Sequence, residues 1–207
     1  MRIVVFGAAG GTGKHVVELG LAGGHEITAF VHNKRGLDES AANLQIVTGD
    51  ALIVEDVKKA VTNQEAVIST LGAGTSQQLI VSQGTKNIVD AMNELGVKRL
   101  IVQSAHGAGE SAKQMSFFVR WIVRGRALKS QFQDKDSMES YVKQSSLDWT
   151  IVRPTRLTDD PETGKFRVGE RIPVGMSPSI SRSDVARFLL EQLESTEYIR
   201  KTPTITS

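Results

Sequence analysis

The chain has 207 residues, 40% of them hydrophobic and 23% charged, with a net charge of +2; this is the balance of one globular domain with a sizeable core. So small a charge argues against nucleic-acid or membrane-surface partners, and no stretch reaches the ~20 apolar residues of a spanning helix. The absence of cysteine excludes disulfides, thiolate catalysis and Cys-ligated metals, and no metal site is expected. Residues 1–6 run straight into a strand rather than a leader, so the expected location is cytoplasmic.

Arg2-Ile3-Val4-Val5-Phe6 is a β-branched run with no polar break after Arg2, the pattern of a strand buried on both faces. The turn Gly7-Ala8-Ala9-Gly10-Gly11-Thr12-Gly13 follows, and then a helix with Val16, Val17, Leu19 and Leu21 on its apolar face. Gly7 suits the tight turn, Gly10 a close approach to a pyrophosphate, and Gly13 a close helix–strand contact. N–H groups at a helix start would hold the phosphates. The alternative is a tight turn with nothing bound.

Glu26–Val31 reads as the second strand, ending in His32-Asn33-Lys34-Arg35. A site for the unphosphorylated dinucleotide places Asp or Glu near this point to bond the ribose hydroxyls. Cationic donors stand here instead, which suit an adenosine 2′-phosphate and so favour NADPH over NADH; a solvated basic loop is the alternative. Leu44–Val47 is the third strand, followed by Gly49-Asp50-Ala51. Asp50 either lies beside an adenine amino group or caps a helix from about Ile53 to Ala60. Glu65–Thr70 is the fourth strand, ending in Leu71-Gly72-Ala73-Gly74, where the backbone can approach a coenzyme closely. A helix from about Gln77 to Leu95 carries Leu79, Ile80, Ile88, Val89 and Met92 inward, and Lys98–Gln103 is the fifth strand.

Repeated strand–helix units specify an α/β fold: one Rossmann-type, doubly wound parallel sheet over residues 1–207, with helices on both faces. Gly164–Ile172 reads as a small C-terminal substrate-side hairpin turning at Gly169-Glu170. Ser183 is the expected cap of a last helix to Leu193, and Thr202–Thr206 a last short strand. Ligands of such sheets bind beyond the carboxyl ends of the strands, where the first turn, His32, Asp50, Leu71–Ala73 and Ser104 all fall.

Ser104 can bond a nicotinamide amide or a substrate carbonyl, or only its own turn. His106 lies two residues on, where an imidazole can deliver a proton near neutral pH or simply be solvated. Residues 115–126 interleave Phe117, Phe118 and Trp121 with Arg120, Arg124 and Arg126. They suit a planar anionic ligand, or equally an amphipathic packing helix.

These motifs resemble the short-chain dehydrogenase/reductase superfamily in its atypical, NAD(P)-binding NmrA-like branch, close to the biliverdin reductase B/flavin reductase group. The resemblance rests on the first turn, Gly49-Asp50, Gly84–Met92, Gly96–Arg99, Leu147–Pro154, Thr163-Gly164-Lys165 and Ser183–Ala186. It implies NADPH-dependent hydride transfer to a planar acceptor, a flavin, quinone or tetrapyrrole. By position it implies coenzyme contacts at Gly7, Ala9, Gly10, Gly11, Thr12, His32, Asp50, Leu71, Gly72, Ala73, Ser104 and Pro154. Gly13, Asn33, Lys34, Arg35 and Ala51 adjoin these, and Lys135 falls in the register of the superfamily lysine.

The chain departs from the family in its chemical half. Gln131 stands at the tyrosine position, Ala105 replaces a second hydroxyl, and Arg156 replaces a histidine. An arginine is a poor general acid, so Arg156 would bind an anion or orient a carbonyl. Hydride reduction of a flavin lessens the need for a positioned acid. The alternative function is an NADP(H)-binding redox sensor without turnover; an isomerase is disfavoured without the tyrosine. Either would act as a monomer or small homo-oligomer.

Overall fold

The computed structural model describes residues 1–33, 41–72, 79–114, 125, 128–174 and 178–207. Its first strand, β1 (Arg2–Phe6), is flanked by parallel strands on both sides, and Ile3, Val4, Val5 and Phe6 have no exposed surface. Around it stand β2 (Glu26–Val31), β3 (Leu44–Thr48), β4 (Ala66–Ser69), β5 (Arg99–Gln103), β6 (Asp148–Pro154), β8 (Arg167–Gly169) and β10 (Thr204–Thr206). The sheet order is β3-β2-β1-β4-β5-β6-β10-β8, and every pairing is parallel except β10 with β8. This is a Rossmann-like α/β fold, with the order reversing between β1 and β4. A separate parallel pair joins β7 (Arg156–Thr158) to β9 (Ser179–Ser181).

Helices cover both faces because each strand sends alternate apolar side chains to each side. Ile3, Val5, Ile27 and Ile68 pack with Val16 and Val17 of α1 (Gly11–Ala22) and with Val185, Phe188 and Leu189 of α5 (Arg182–Glu191). On the other face, Val4, Phe6, Val67 and Leu100 meet three helices. These are α2 (Val54–Val61), α3 (Ile80–Leu95) and α4 (Lys129–Gln144). Gly13 explains how α1 lies so close to β1: a Cβ there would stand 2.1 Å from the Gly7 carbonyl oxygen.

Four expectations need correcting. The C-terminal hairpin does not form: β8 instead pairs antiparallel with β10, Val168 opposite Ile205. Its return arm would have only Arg171 and Ile172 before Pro173, which has no N–H to donate, whereas β10 offers an unpaired edge. The last helix is capped by Ser181 rather than Ser183; the Ser181 hydroxyl oxygen accepts the Asp184 N–H at 3.0 Å, and Ser183 bonds Glu162. Leu79 precedes α3 and is exposed, not inward, while Gln77 lies outside the described residues.

The fourth correction concerns Asp50, which is not the helix cap. Ile53 holds that position before α2, and the Asp50 carboxylate accepts the Leu52 N–H at 2.9 Å in a local turn. The start of α3 is satisfied from a distance. Asp134 of α4 is buried and accepts the N–H groups of Val81 and Ser82 at 3.0 and 2.8 Å, placing a carboxylate on the positive end of the helix.

Candidate coenzyme site

The glycine-rich first turn rises from β1 at Gly7, whose φ of +78° is open to glycine. A side chain there would also strike the Thr70 carbonyl at 2.9 Å, so the turn is pressed against the end of β4. The Gly10 N–H closes the turn on the Gly7 carbonyl at 2.9 Å, and the first intrahelical bond is Lys14 N–H to Gly10 O at 3.0 Å. No side chain among the described residues caps α1. Among the described residues, the N–H groups of Gly11, Thr12 and Gly13 have no acceptor, at the positive end of a helix. That cradle fits a diphosphate.

The other expected coenzyme residues gather along the same carboxyl edge. Ala9 is half-buried, and His32 and Asn33 are exposed beyond β2; Lys34, Arg35 and Ala73 lie outside the described residues. Asp50 is half-buried, and its N–H donates to Asp56 at 2.9 Å. Ala51 is held by the Asn87 side-chain amide, which donates to its carbonyl at 2.9 Å. Gly84 of α3 leaves just enough room for Ala51 and Leu71, each 3.1 Å from where its Cβ would lie. Apart from its chain neighbours, no described residue lies within 4 Å of where a Gly72 Cβ would stand.

At the far end of this edge, Ser104 is buried, its N–H bonded to the Val152 carbonyl at 2.7 Å. Its hydroxyl donates to Glu139 of α4 at 2.8 Å. Glu139 also receives Arg153 through Nε at 2.9 Å and Nη2 at 2.5 Å. Arg153 continues to Glu110 at 2.6 Å and to the Thr202 hydroxyl at 3.1 Å. Lys143 closes the network between Glu110 at 2.7 Å and Glu139 at 3.3 Å. Lys143 and then Arg153 hold the Glu110 carboxyl down at about 2. Burial opposes the charge on Arg153, but the bonds and field of Glu139 outweigh it and the guanidinium stays charged.

His106 is buried; its N–H reaches the Pro154 carbonyl at 2.8 Å and its Nδ1 lies 3.4 Å from the Thr204 hydroxyl. Nε2 is buried and has no hydrogen-bond partner among the described residues. Burial first, and the Arg153 charge second, push its pKa below the ordinary histidine value, so the ring is neutral near pH 7. A neutral imidazole is a weak proton donor, unlike the donor expected from sequence. Lys135 is half-buried one helical turn before Glu139, and burial lowers its pKa against the fields of Asp134 and Glu139. Arg156 is exposed on β7 and makes no hydrogen bond to that network among the described residues. Of residues 115–126, only Gly125 is described.

Sequence reasoning missed Glu139, Arg153 and Glu110. A signal existed: Arg153 interrupts the apolar run Ile151-Val152 of a central strand, and a buried guanidinium requires a carboxylate partner. A separate cleft of about 480 Å³, lined by Glu26, Asn43, Gln45, Lys59 and Gln64, opens at the amino ends of β2 and β3, opposite this edge.

Residues 7–196 match the family model described as NAD(P)H-binding. The chain belongs to this NAD(P)H-binding family. An uncharacterised chloroplastic protein of Arabidopsis thaliana, At2g34460, is 31% identical over 205 residues, covering 93% of this chain and 71% of the relative. Among solved structures, the anaerobillin reductase ChuY of Escherichia coli O157:H7 superposes with a TM-score of 0.84 at 25% identity, covering 99% and 96% of the two chains. A short-chain dehydrogenase/reductase of Veillonella parvula, solved in complex with NADP, has a TM-score of 0.83 at 22% identity, covering 100% and 94%; at that identity the likeness is one of fold. The open cradle at the start of α1 is the feature of the NAD(P)H-binding chain that fits the coenzyme diphosphate.

Proposed function

We propose that the chain is an NADPH-dependent reductase that passes a hydride to a planar acceptor, a flavin, quinone or tetrapyrrole. One observation carries this: among the described residues, the polar groups near the end of β5 offer no ready proton donor. The Ser104 hydrogen is committed to Glu139 and His106 is neutral, and the family resemblance puts Gln131 at the position of the superfamily tyrosine. A simple ketone needs a proton at its oxygen as hydride arrives. A flavin does not; it takes two electrons and one proton as hydride, and its N1 then stays anionic or is protonated by water.

The dihydronicotinamide of the bound coenzyme supplies the hydride. The residues of the chain bind and orient. The amides of Gly11, Thr12 and Gly13 hold the diphosphate, while Asp50 and Ala51 border the adenine and Leu71 and Gly72 the ribose side. Ser104 Oγ, its hydrogen pointing to Glu139, offers lone pairs to a carboxamide N–H. No carboxylate follows β2 at residues 32–35, which supports NADPH; replacing Lys34 and Arg35 by Ala is expected to weaken NADPH much more than NADH, and equal losses would refute the 2′-phosphate assignment. The likeness to a tetrapyrrole-reducing structure is consistent with a large, flat acceptor.

The missing tyrosine and second hydroxyl also favour a sensor that binds NADP(H) without turnover. Mixing the protein with NADPH and FMN, riboflavin, a quinone or a linear tetrapyrrole separates the two. Reduced-nucleotide absorbance falling faster than in the protein-free control is the expected result. Tight NADPH binding with no oxidation across these acceptors would replace the reductase by the sensor.

A further inference from the structure

Gly11 is the one glycine of the first turn that its own backbone does not explain. Its φ is not among the positive values, and a Cβ there would approach no backbone atom within the closest contacts. It would strike the side chain of Arg182, with Nε at 2.6 Å and Cδ at 2.7 Å. The Cδ, Nε and Cζ atoms of Arg182 thus lie over the first residue of α1, a helix start that no side chain caps among the described residues.

Arg182 is held there by its own element. It is the first residue of α5, whose start is fixed by Ser181 and Asp184. The Asp184 carboxylate in turn accepts the Gly164 N–H at 2.8 Å and the Thr163 N–H at 3.1 Å. Among the described residues, the one hydrogen bond of the guanidinium goes from Nη1 to Asp159 at 2.6 Å. Asp159 is 85% exposed, and so open an ion pair is weak. A guanidinium has five N–H donors in a planar fork, which leaves donors available beside the cradle.

We infer that Arg182 is a binding residue for the coenzyme diphosphate, and that Asp159 competes with the phosphates for it. This rests on the NAD(P)H-binding reading of the first turn and names a ligand from the far end of the chain. The amides of α1 present only partial charge, and a diphosphate carries two full negative charges. A guanidinium on the flank of the turn supplies a full charge in bidentate geometry. Gly11 is glycine so that this side chain can cross it.

Titration calorimetry on the full chain tests the assignment, with NADPH and NADH against wild type, Arg182→Ala, Arg182→Lys and Asp159→Asn. Arg182→Ala is expected to weaken both nucleotides by the same factor, about tenfold to a hundredfold, as when a charged hydrogen bond is lost. Arg182→Lys keeps the charge without the fork and should lose less. Asp159→Asn frees the guanidinium and should tighten both nucleotides. Three results would overturn the inference: Arg182→Ala within twofold of wild type, a loss confined to NADPH, or Asp159→Asn weakening binding as Arg182→Ala does. The last is what a purely structural strap between Asp159 and Arg182 predicts. A wild type that binds neither nucleotide would remove the coenzyme reading itself; a wild type that binds, with an unaffected Arg182→Ala, removes only Arg182.

Discussion

Replacing Glu139 by Gln tests the buried network most sharply. Glu139 and Arg153 are each 1% exposed, and the carboxylate takes two of the guanidinium's bonds. Removing one member of such a buried pair leaves the other charge uncompensated, at about 3–5 kcal/mol. Glu110 still reaches Arg153, but it is 63% exposed, so it recovers at most about 1 kcal/mol, as a surface pair does. The expected net loss is about 2–4 kcal/mol. In a chain of this size each kcal/mol moves Tm by about 2–4 °C, so Glu139→Gln should melt roughly 4–16 °C lower by circular dichroism at pH 7. The double variant Glu139→Leu/Arg153→Met, which removes both charges, should lose less than the single one. A Glu139→Gln protein melting within about 2 °C of wild type, or a double variant less stable than the single, would refute the view that these charges hold each other in place.

Three further outcomes are expected. Asp134→Ala removes both acceptors from the start of α3 and should cost at least about 2 kcal/mol, read as a lower urea midpoint with unchanged slope. Glu110 is held at about 2 against an ordinary 4.5, so the stability it contributes is full above pH 4.5 and is lost as pH falls toward 2. Glu110→Gln should therefore lower stability by a constant amount above about pH 4.5 and flatten the acid limb below it; an unchanged limb would contradict the assignment. His106→Asn should leave turnover at pH 7 within a few-fold of wild type, because a neutral ring gives no proton, whereas loss of a true general acid costs about 10²–10⁴.

The central sheet was legible because its strands are apolar on both faces: Ile3–Phe6 and Ala66–Ser69 carry no polar alternation that would permit another placement. The roles of Gly7 and Gly13 were legible for a related reason, since a strand-to-helix turn this tight leaves few residues that fit. Elements whose partners are remote in sequence were not. Val168 reads as half of a local hairpin until Ile205, 37 positions later, takes its hydrogen bonds. Ser183 looks as good a cap as Ser181, and only the Asp184 N–H direction separates them. Asp134 looks like a surface charge on an amphipathic helix, because its partners are the backbone amides of another helix. Glu139 and Arg182 were hidden likewise: Glu139 accepts from Ser104, 35 positions earlier, and Arg182 crosses Gly11, 171 positions earlier.

The most direct measurement follows the backbone amides of Gly11, Thr12 and Gly13 by ¹⁵N–¹H NMR as NADPH is added. A diphosphate seated at the start of α1 should shift these three resonances saturably and together, with larger shifts than the amides of β3 or α2. Saturable binding that leaves all three unmoved would contradict the account.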